Sequence, residues 1–218
     1  MQPESLNQTI ENLLRNLKAP THYSKLSDRL KNISSDEIAK ILTSVYVRKI
    51  ADRGRILEEE NETADKIRKV AKWLTSSTKP GLLLYGKTGT GKTVLMDSLK
   101  EVLMLGRQSG TVHFVTAKNM FDFYCEDSGR YRYERLRSAP INLIDDLGCE
   151  PSRCLIFGVD YEPIRDFFYK RYDQQLITVV STNLGDKQLA DTYGERVWDR
   201  ISETFDRITF QGDSFRVK

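Results

Sequence analysis

Residues 86–93 read Gly-Lys-Thr-Gly-Thr-Gly-Lys-Thr. The apolar run GLLLY (81–85) leads into this stretch, and VLMDSLKEVLML (94–105) continues it with helical spacing. Strand, glycine-rich turn and helix in this order form a phosphate-binding unit. The glycines let the backbone curl, so that several amides point inward at an anion. The start of the following helix directs the positive end of its dipole to the same place. Lys92 would reach the terminal phosphates of a nucleotide, and the Thr93 hydroxyl would ligate Mg²⁺. Gly86, Lys87, Thr88, Gly89, Thr90, Gly91, Lys92 and Thr93 are therefore the candidate nucleotide-binding residues.

The rest of the chain must supply a sheet for that unit. Further short apolar runs at 112–116, 141–145, 177–181 and 207–210 predict strands, and 92–105, 117–127, 162–173 and 186–204 predict helices. Most of the strand runs are almost continuously apolar, as in parallel strands covered on both faces. The expectation is an α/β three-layer sandwich around a central five-stranded parallel sheet. The first third reads as helical. Ser34 and Glu37 form a capping-box pair ahead of Ile38, Ile41, Leu42 and Val45. Ile67, Val70, Ala71 and Leu74 make a second apolar face, which residues 76–80 terminate. A short helix is expected around Ile10, Leu13, Leu14 and Leu17. The predicted division is a helical N-terminal segment over 1–75, serving partner docking or packing, and a nucleotide-binding domain over 76–218. The second apolar face is assigned to the core of that domain. The first 55 or so residues are assigned to a partner or a small helical domain of their own.

Composition narrows the class. With 39% hydrophobic and 30% charged residues, the chain can build a core and is not a disordered polymer. No run approaches the length of a membrane span, and no secretory signal is visible at the N-terminus. Three unpaired cysteines argue against a disulfide scaffold or a zinc ribbon, so a cytoplasmic location is expected. Residues 1–79 carry 15 basic and 11 acidic side chains, a net +4, and the remainder 19 and 20. The mildly basic front end permits a nucleic-acid contact without requiring one.

The second half of a nucleotide site is an acid at the end of a neighbouring strand. Ile-Asn-Leu-Ile-Asp-Asp (141–146) offers two. Asp145 would hold Mg²⁺, and Asp146 would orient and polarise an attacking water. No guanine-reading Asn-Lys-x-Asp motif follows, which disfavours a GTPase. An acidic pair after an apolar strand favours ATP hydrolysis coupled to mechanical work over a small-molecule kinase.

The motifs LLLYGKTGTGKT, LIDDLGCE, ITVVSTNL, YGERVWDRI and DSFRVK occur in this order over residues 80–218. In that combination the chain resembles the AAA+ ATPases of the DnaC/DnaI helicase-loader family, with the IstB-like transposition ATPases as relatives. The resemblance implies a P-loop ATPase using ATP/ADP and Mg²⁺, without a full C-terminal helical lid. It implies that Asn183 aligns the water with the γ-phosphate. One of Arg196 and Arg200, with a slight preference for Arg200, would reach the ATP of a neighbouring copy, and Arg216 would contact nucleotide. Both of the first two arginines could instead form solvated ion pairs with Glu195, Asp199 and Glu203. The implied partners are a hexameric replicative helicase, single-stranded DNA and further copies of the chain, with no membrane. In many AAA+ proteins the second acid is Glu; here it is the shorter Asp146, as in some loaders.

Arg130, Tyr131, Arg132, Tyr133 and Arg135 interleave guanidinium and aromatic groups, a combination that tracks phosphates and stacks bases of a single strand. A surface helix with partly buried tyrosines would give the same pattern. Three functions compete at this point: a helicase loader, a transposition helper that coats DNA, and a metabolic phosphotransferase.

Overall fold

A computed structural model describes residues 33–55, 60–105 and 111–211. The short helix expected around Ile10 to Leu17 lies outside the described residues, as does Arg216. Two helices come first, α1 (Ser35–Ala51) and α2 (Glu60–Ser76). Then follow β1 (Gly81–Gly86), α3 (Lys92–Met104), β2 (Val112–Thr116), α4 (Ala117–Cys125), α5 (Arg130–Ser138) and β3 (Ile141–Leu147). A hairpin of β4 (Cys154–Ile156) and β5 (Val159–Tyr161) precedes α6 (Pro163–Asp173). The chain continues through β6 (Ile177–Thr182), α7 (Asp186–Tyr193), α8 (Glu195–Thr204) and β7 (Phe205–Phe210).

The five long strands form one sheet in the order β2-β3-β6-β1-β7, all neighbours parallel. This is the expected α/β three-layer architecture. Alternation along each strand divides the core in two. Leu82 and Leu84 face one side with Ile141, Leu143 and Val179, against α1, α2 and α3. Leu83, Ile144 and Val180 face the other, against α4 to α8. Both faces are covered, which is why the strands read as apolar runs rather than as alternating ones.

The capping box at the start of α1 is formed: the Glu37 amide donates to Ser34 Oγ at 3.2 Å, and the Ser34 amide donates to Glu37 Oε2 at 2.8 Å. The fate of the α1 face differs from the expectation of a partner or a separate small domain. Ile38, Ile41, Leu42, Val45 and Tyr46 join the same apolar cluster as Leu95 and Leu99 of α3 and Leu74 of α2. Polar contacts flank this seam. Lys49 Nζ lies 2.8 Å from Asp97 and 3.4 Å from Glu101, and Arg48 pairs with Glu101. The outer face of α3 is apolar enough to need this cover, so α1 is consumed within its own chain.

Two further departures concern the C-terminal half. The helix expected over 186–204 is broken at Gly194, whose φ of 91° no helical residue adopts. The β4–β5 hairpin, turning at Phe157 and Gly158, lies in a stretch for which the sequence predicts no strand. Among the described residues no helix is long and apolar enough to cross a membrane.

Candidate nucleotide-binding site

At the C-terminal end of β1 the chain turns at Gly86, with φ 143°. A Cβ there would lie 2.0 Å from the carbonyl oxygen of Phe210 on β7, so only glycine fits between the strands. Gly91, at φ 90°, caps α3 without a side-chain acceptor. The first amides of α3 are thereby left to an external anion, as a phosphate cradle requires. Thr90 is buried and its hydroxyl donates to Lys87 O at 2.8 Å, which braces the loop from inside. Lys87 and Thr88 at the crest are exposed.

Lys92 is only 5% exposed, yet its ammonium is well satisfied. Its Nζ donates to Gly86 O and Lys87 O, both at 2.7 Å, and to Asn183 Oδ1 at 2.8 Å. Asn183 follows β6, the strand next to β1. The structure thus brings together two residues that lie 91 positions apart in the sequence. All three acceptors are neutral oxygens, so a phosphate can replace them as a stronger, charge-assisted partner.

The acids sit on β3, on the other side of β6. Asp145 is buried, and Thr93 Oγ1 donates to its Oδ1 at 3.3 Å. Ser181 Oγ donates to the same oxygen and accepts from the Asp146 amide at 2.9 Å. The pairing of β3 with β6 slips at this point: Ile144 opposes Val180, but Leu147 opposes Thr182. Two residues, Asp145 and Asp146, therefore face the single Ser181, and Asp146 takes φ 54°. Such a bulge re-aims a side chain and marks a place where regular pairing is sacrificed. A hydroxyl and a carboxylate side by side are hard oxygen donors, and they fit Mg²⁺.

The arginines of the C-terminal motif have different surroundings. Arg200 lies over two rings of α6, 4.3 Å from the centroid of Tyr169 and 4.8 Å from that of Tyr172. Arg196, one turn earlier on α8, is exposed and carries no ion pair to a described residue. Neither pairs with Glu195, Asp199 or Glu203; Glu203 instead accepts from the Tyr172 hydroxyl at 2.8 Å.

The arginine–tyrosine stretch forms α5 and divides by helix phase. Tyr133 is fully buried, donates to Pro163 O at 2.6 Å and meets Tyr124 edge-on at 4.9 Å. It is a core residue, a correction to its candidacy for stacking bases. Arg130 is likewise held, its Nε donating to Tyr124 O at 2.8 Å and its guanidinium 4.2 Å from that ring. Tyr131, Arg132 and Arg135 are exposed. Arg132 and Arg135 line an open groove of about 660 Å³ beside β2, which Thr93 and Asp145 also line.

Sequence reasoning missed three residues here. Ser181 bridges the two acids. Glu150, in the turn after β3, is buried and accepts from the Gly148 amide at 3.0 Å and from the Tyr193 hydroxyl. Both Glu150 and Tyr193 lie inside the motifs LIDDLGCE and YGERVWDRI, but spacing alone does not reveal that they meet.

No protein-family model and no curated protein matches this sequence. Solved structures do. The crystal structure of the DnaC helicase loader superposes with a TM-score of 0.56 at 18% identity, covering 76% of this chain and 98% of that one. The crystal structure of DnaI gives 0.57 at 18%, covering 78% and 94%. AMPPCP-bound DnaA from Aquifex aeolicus gives 0.51 at 19%, covering 74% of this chain and 50% of that one. At such identities the likeness is one of architecture, and on that ground the chain shares the α/β fold of these solved structures, built on a five-stranded parallel sheet.

Proposed function

We propose that the chain is a Mg²⁺-dependent ATPase of the helicase-loader type, acting in DNA replication through an assembly of its own copies. The carrying observation is the convergence of Lys92, Asn183, Thr93 and Asp145 at one end of the sheet. The fold it shares with the DnaC helicase loader and DnaI supports the replication setting.

In this reading the loop amides and Lys92 hold the triphosphate, and Thr93 and Asp145 hold the metal. Bound Mg²⁺ supplies charge neutralisation on the phosphate oxygens. Asp146 takes the proton of the attacking water, and Asn183 orients that water once Lys92 turns to phosphate. Charge developing on the transferred phosphoryl calls for a guanidinium from a neighbouring copy. The preference between the two arginines changes on structural grounds. Arg200 would forfeit two ring contacts, each worth about 0.5–1 kcal/mol at an exposed site. Arg196 has no ion pair or ring contact to give up among the described residues and sits at the Gly194 end of α8, so Arg196 is assigned as the trans arginine. Arg216 is assigned to nucleotide. Single-stranded DNA is assigned to Tyr131, Arg132 and Arg135.

Mixing tests the reading. Lys92→Ala subunits lack the nucleotide grip, and Arg196→Ala subunits lack the donated arginine. Combined, they should recover part of the ATPase rate that neither shows alone, and no recovery at any ratio contradicts the trans arrangement. Co-purification from the native host separates the competing functions. A hexameric helicase supports the loader, a transposase supports the IstB-like reading, and a small acceptor consumed with ATP supports a phosphotransferase.

A further inference from the structure

Glu150 has no place in the chemistry just described, yet it is 8% exposed. A buried carboxylate is costly unless donors satisfy it. Its two donors are neutral and take different oxygens: the Gly148 amide on Oε2 and the Tyr193 hydroxyl on Oε1. Tyr193 is itself 2% exposed, and burial with the adjacent carboxylate pushes its phenol well above the usual range.

Each end of this contact belongs to a constrained turn. Gly148 closes the acidic loop two residues after Asp146, with φ 100°. A Cβ there would lie 2.5 Å from Leu184 Cδ1, so loop and post-β6 segment are in close contact. Leu147 O, one residue earlier, accepts from Thr182 Oγ1 at 2.7 Å. At the other end Tyr193 is the last residue of α7. Gly194 makes the elbow, and α8 starts from it, with the Val197 and Trp198 amides donating to Gly194 O at 3.0 and 3.2 Å. Arg196 lies in this first turn of α8.

We propose that the Glu150–Tyr193 contact is a positioning strut, through which the acidic loop beside one subunit's nucleotide sets the arginine helix that this subunit offers to its neighbour. The inference rests on the trans-arginine reading above. Its physical content is that Asp146 and Arg196 are joined by a short, rigid path of two tight turns and one buried carboxylate.

Tyr193→Phe tests it, because the change removes one hydroxyl and preserves the ring's packing. The variant is placed in turn on each partner of the mixing assay. On the donor it is combined with Lys92→Ala, and on the acceptor with Arg196→Ala. The intact mixture gives the reference rate. The strut predicts that the donor placement lowers recovered activity about tenfold, while the acceptor placement leaves it within twofold. A merely structural role lowers both alike, and that result, or equal activity in all mixtures, overturns the strut. Absence of recovery in the intact mixture shows instead that the trans reading has failed, and the strut falls with it. Thermal melting of Tyr193→Phe alone, within about 3 °C of the parent, shows that the donor loss is not unfolding.

Discussion

The hydroxyl of Ser181 donates to the carboxylate of Asp145 and accepts from the amide of Asp146, so one side chain on β6 fixes both acids of β3. Residues that orient a metal-holding carboxylate matter nearly as much as the carboxylate itself. Ser181→Ala should therefore lower the affinity for Mg-ATP about tenfold. Nucleotide affinity in EDTA should stay within twofold, because the phosphate loop is untouched. Titration of a fluorescent ATP analogue with and without Mg²⁺ checks this, and equal affinity of variant and parent in Mg²⁺ contradicts it.

Gly86→Ala is a different kind of change. The new Cβ would lie 2.0 Å from Phe210 O at a backbone φ of 143°. β1 and β7 must then move apart, or the loop must change course. Strain and lost pairing should destabilise the fold by roughly 2–4 kcal/mol. Urea unfolding measures the loss, and a change under about 0.5 kcal/mol would mean that the strands are not held this closely.

Much of this was legible beforehand. The glycine-rich loop after β1 announces itself because its backbone course admits few residue types, and the five parallel strands because burial on both faces makes them nearly continuous apolar runs. Other features are invisible for physical reasons. The apolar face of α1 states that Leu42 must be buried but not against what, and only the structure shows α3 as the answer. Tyr131 and Tyr133 look alike in a stretch of alternating Arg and Tyr. Helix phase separates them, since Tyr133 shares its face with Leu136 three positions on. The β4–β5 strands have three residues each, too short for a period-two pattern to register. Gly194 reads as one glycine within a helical run, and its role as an elbow depends on a positive φ. The Glu150–Tyr193 contact joins residues 43 apart and has no local signature.

If α1 belongs to the core rather than to a partner, its central leucine should behave as a core residue. Leu42 is 0% exposed. Leu42→Ala should cost about 2–5 kcal/mol, with unfolding still a single transition. A separate early transition that the variant alone shifts would show instead that α1 melts independently of the sheet.

The polar flank of that seam should respond to acid. Burial pushes Glu101 up, but hydrogen bonds and charge from Arg48 and Lys49 outweigh it and hold its carboxyl below the ordinary 4.5. A carboxylate with a lowered folded-state pKa adds stability above its unfolded value, and the gain is lost as pH falls through the folded one. Melting temperature should therefore fall on acidification below about pH 4.5, and Glu101→Gln should flatten part of that slope. The contribution is at most about 1 kcal/mol, because Glu101 and Arg48 are partly exposed. An unchanged slope in the variant would show that the seam gains nothing from this charge.

The central claim is that the loop around Lys92 grips a magnesium-bound adenine nucleotide. Calorimetric titration of Mg-ATP into the folded protein, parent against Lys92→Ala, tests it most directly. The account predicts saturable binding by the parent, weakened about 10- to 100-fold by the substitution, as expected for loss of a charged hydrogen bond worth about 1.5–3 kcal/mol. Absence of binding by well-folded parent, or equal binding by both proteins, would contradict it.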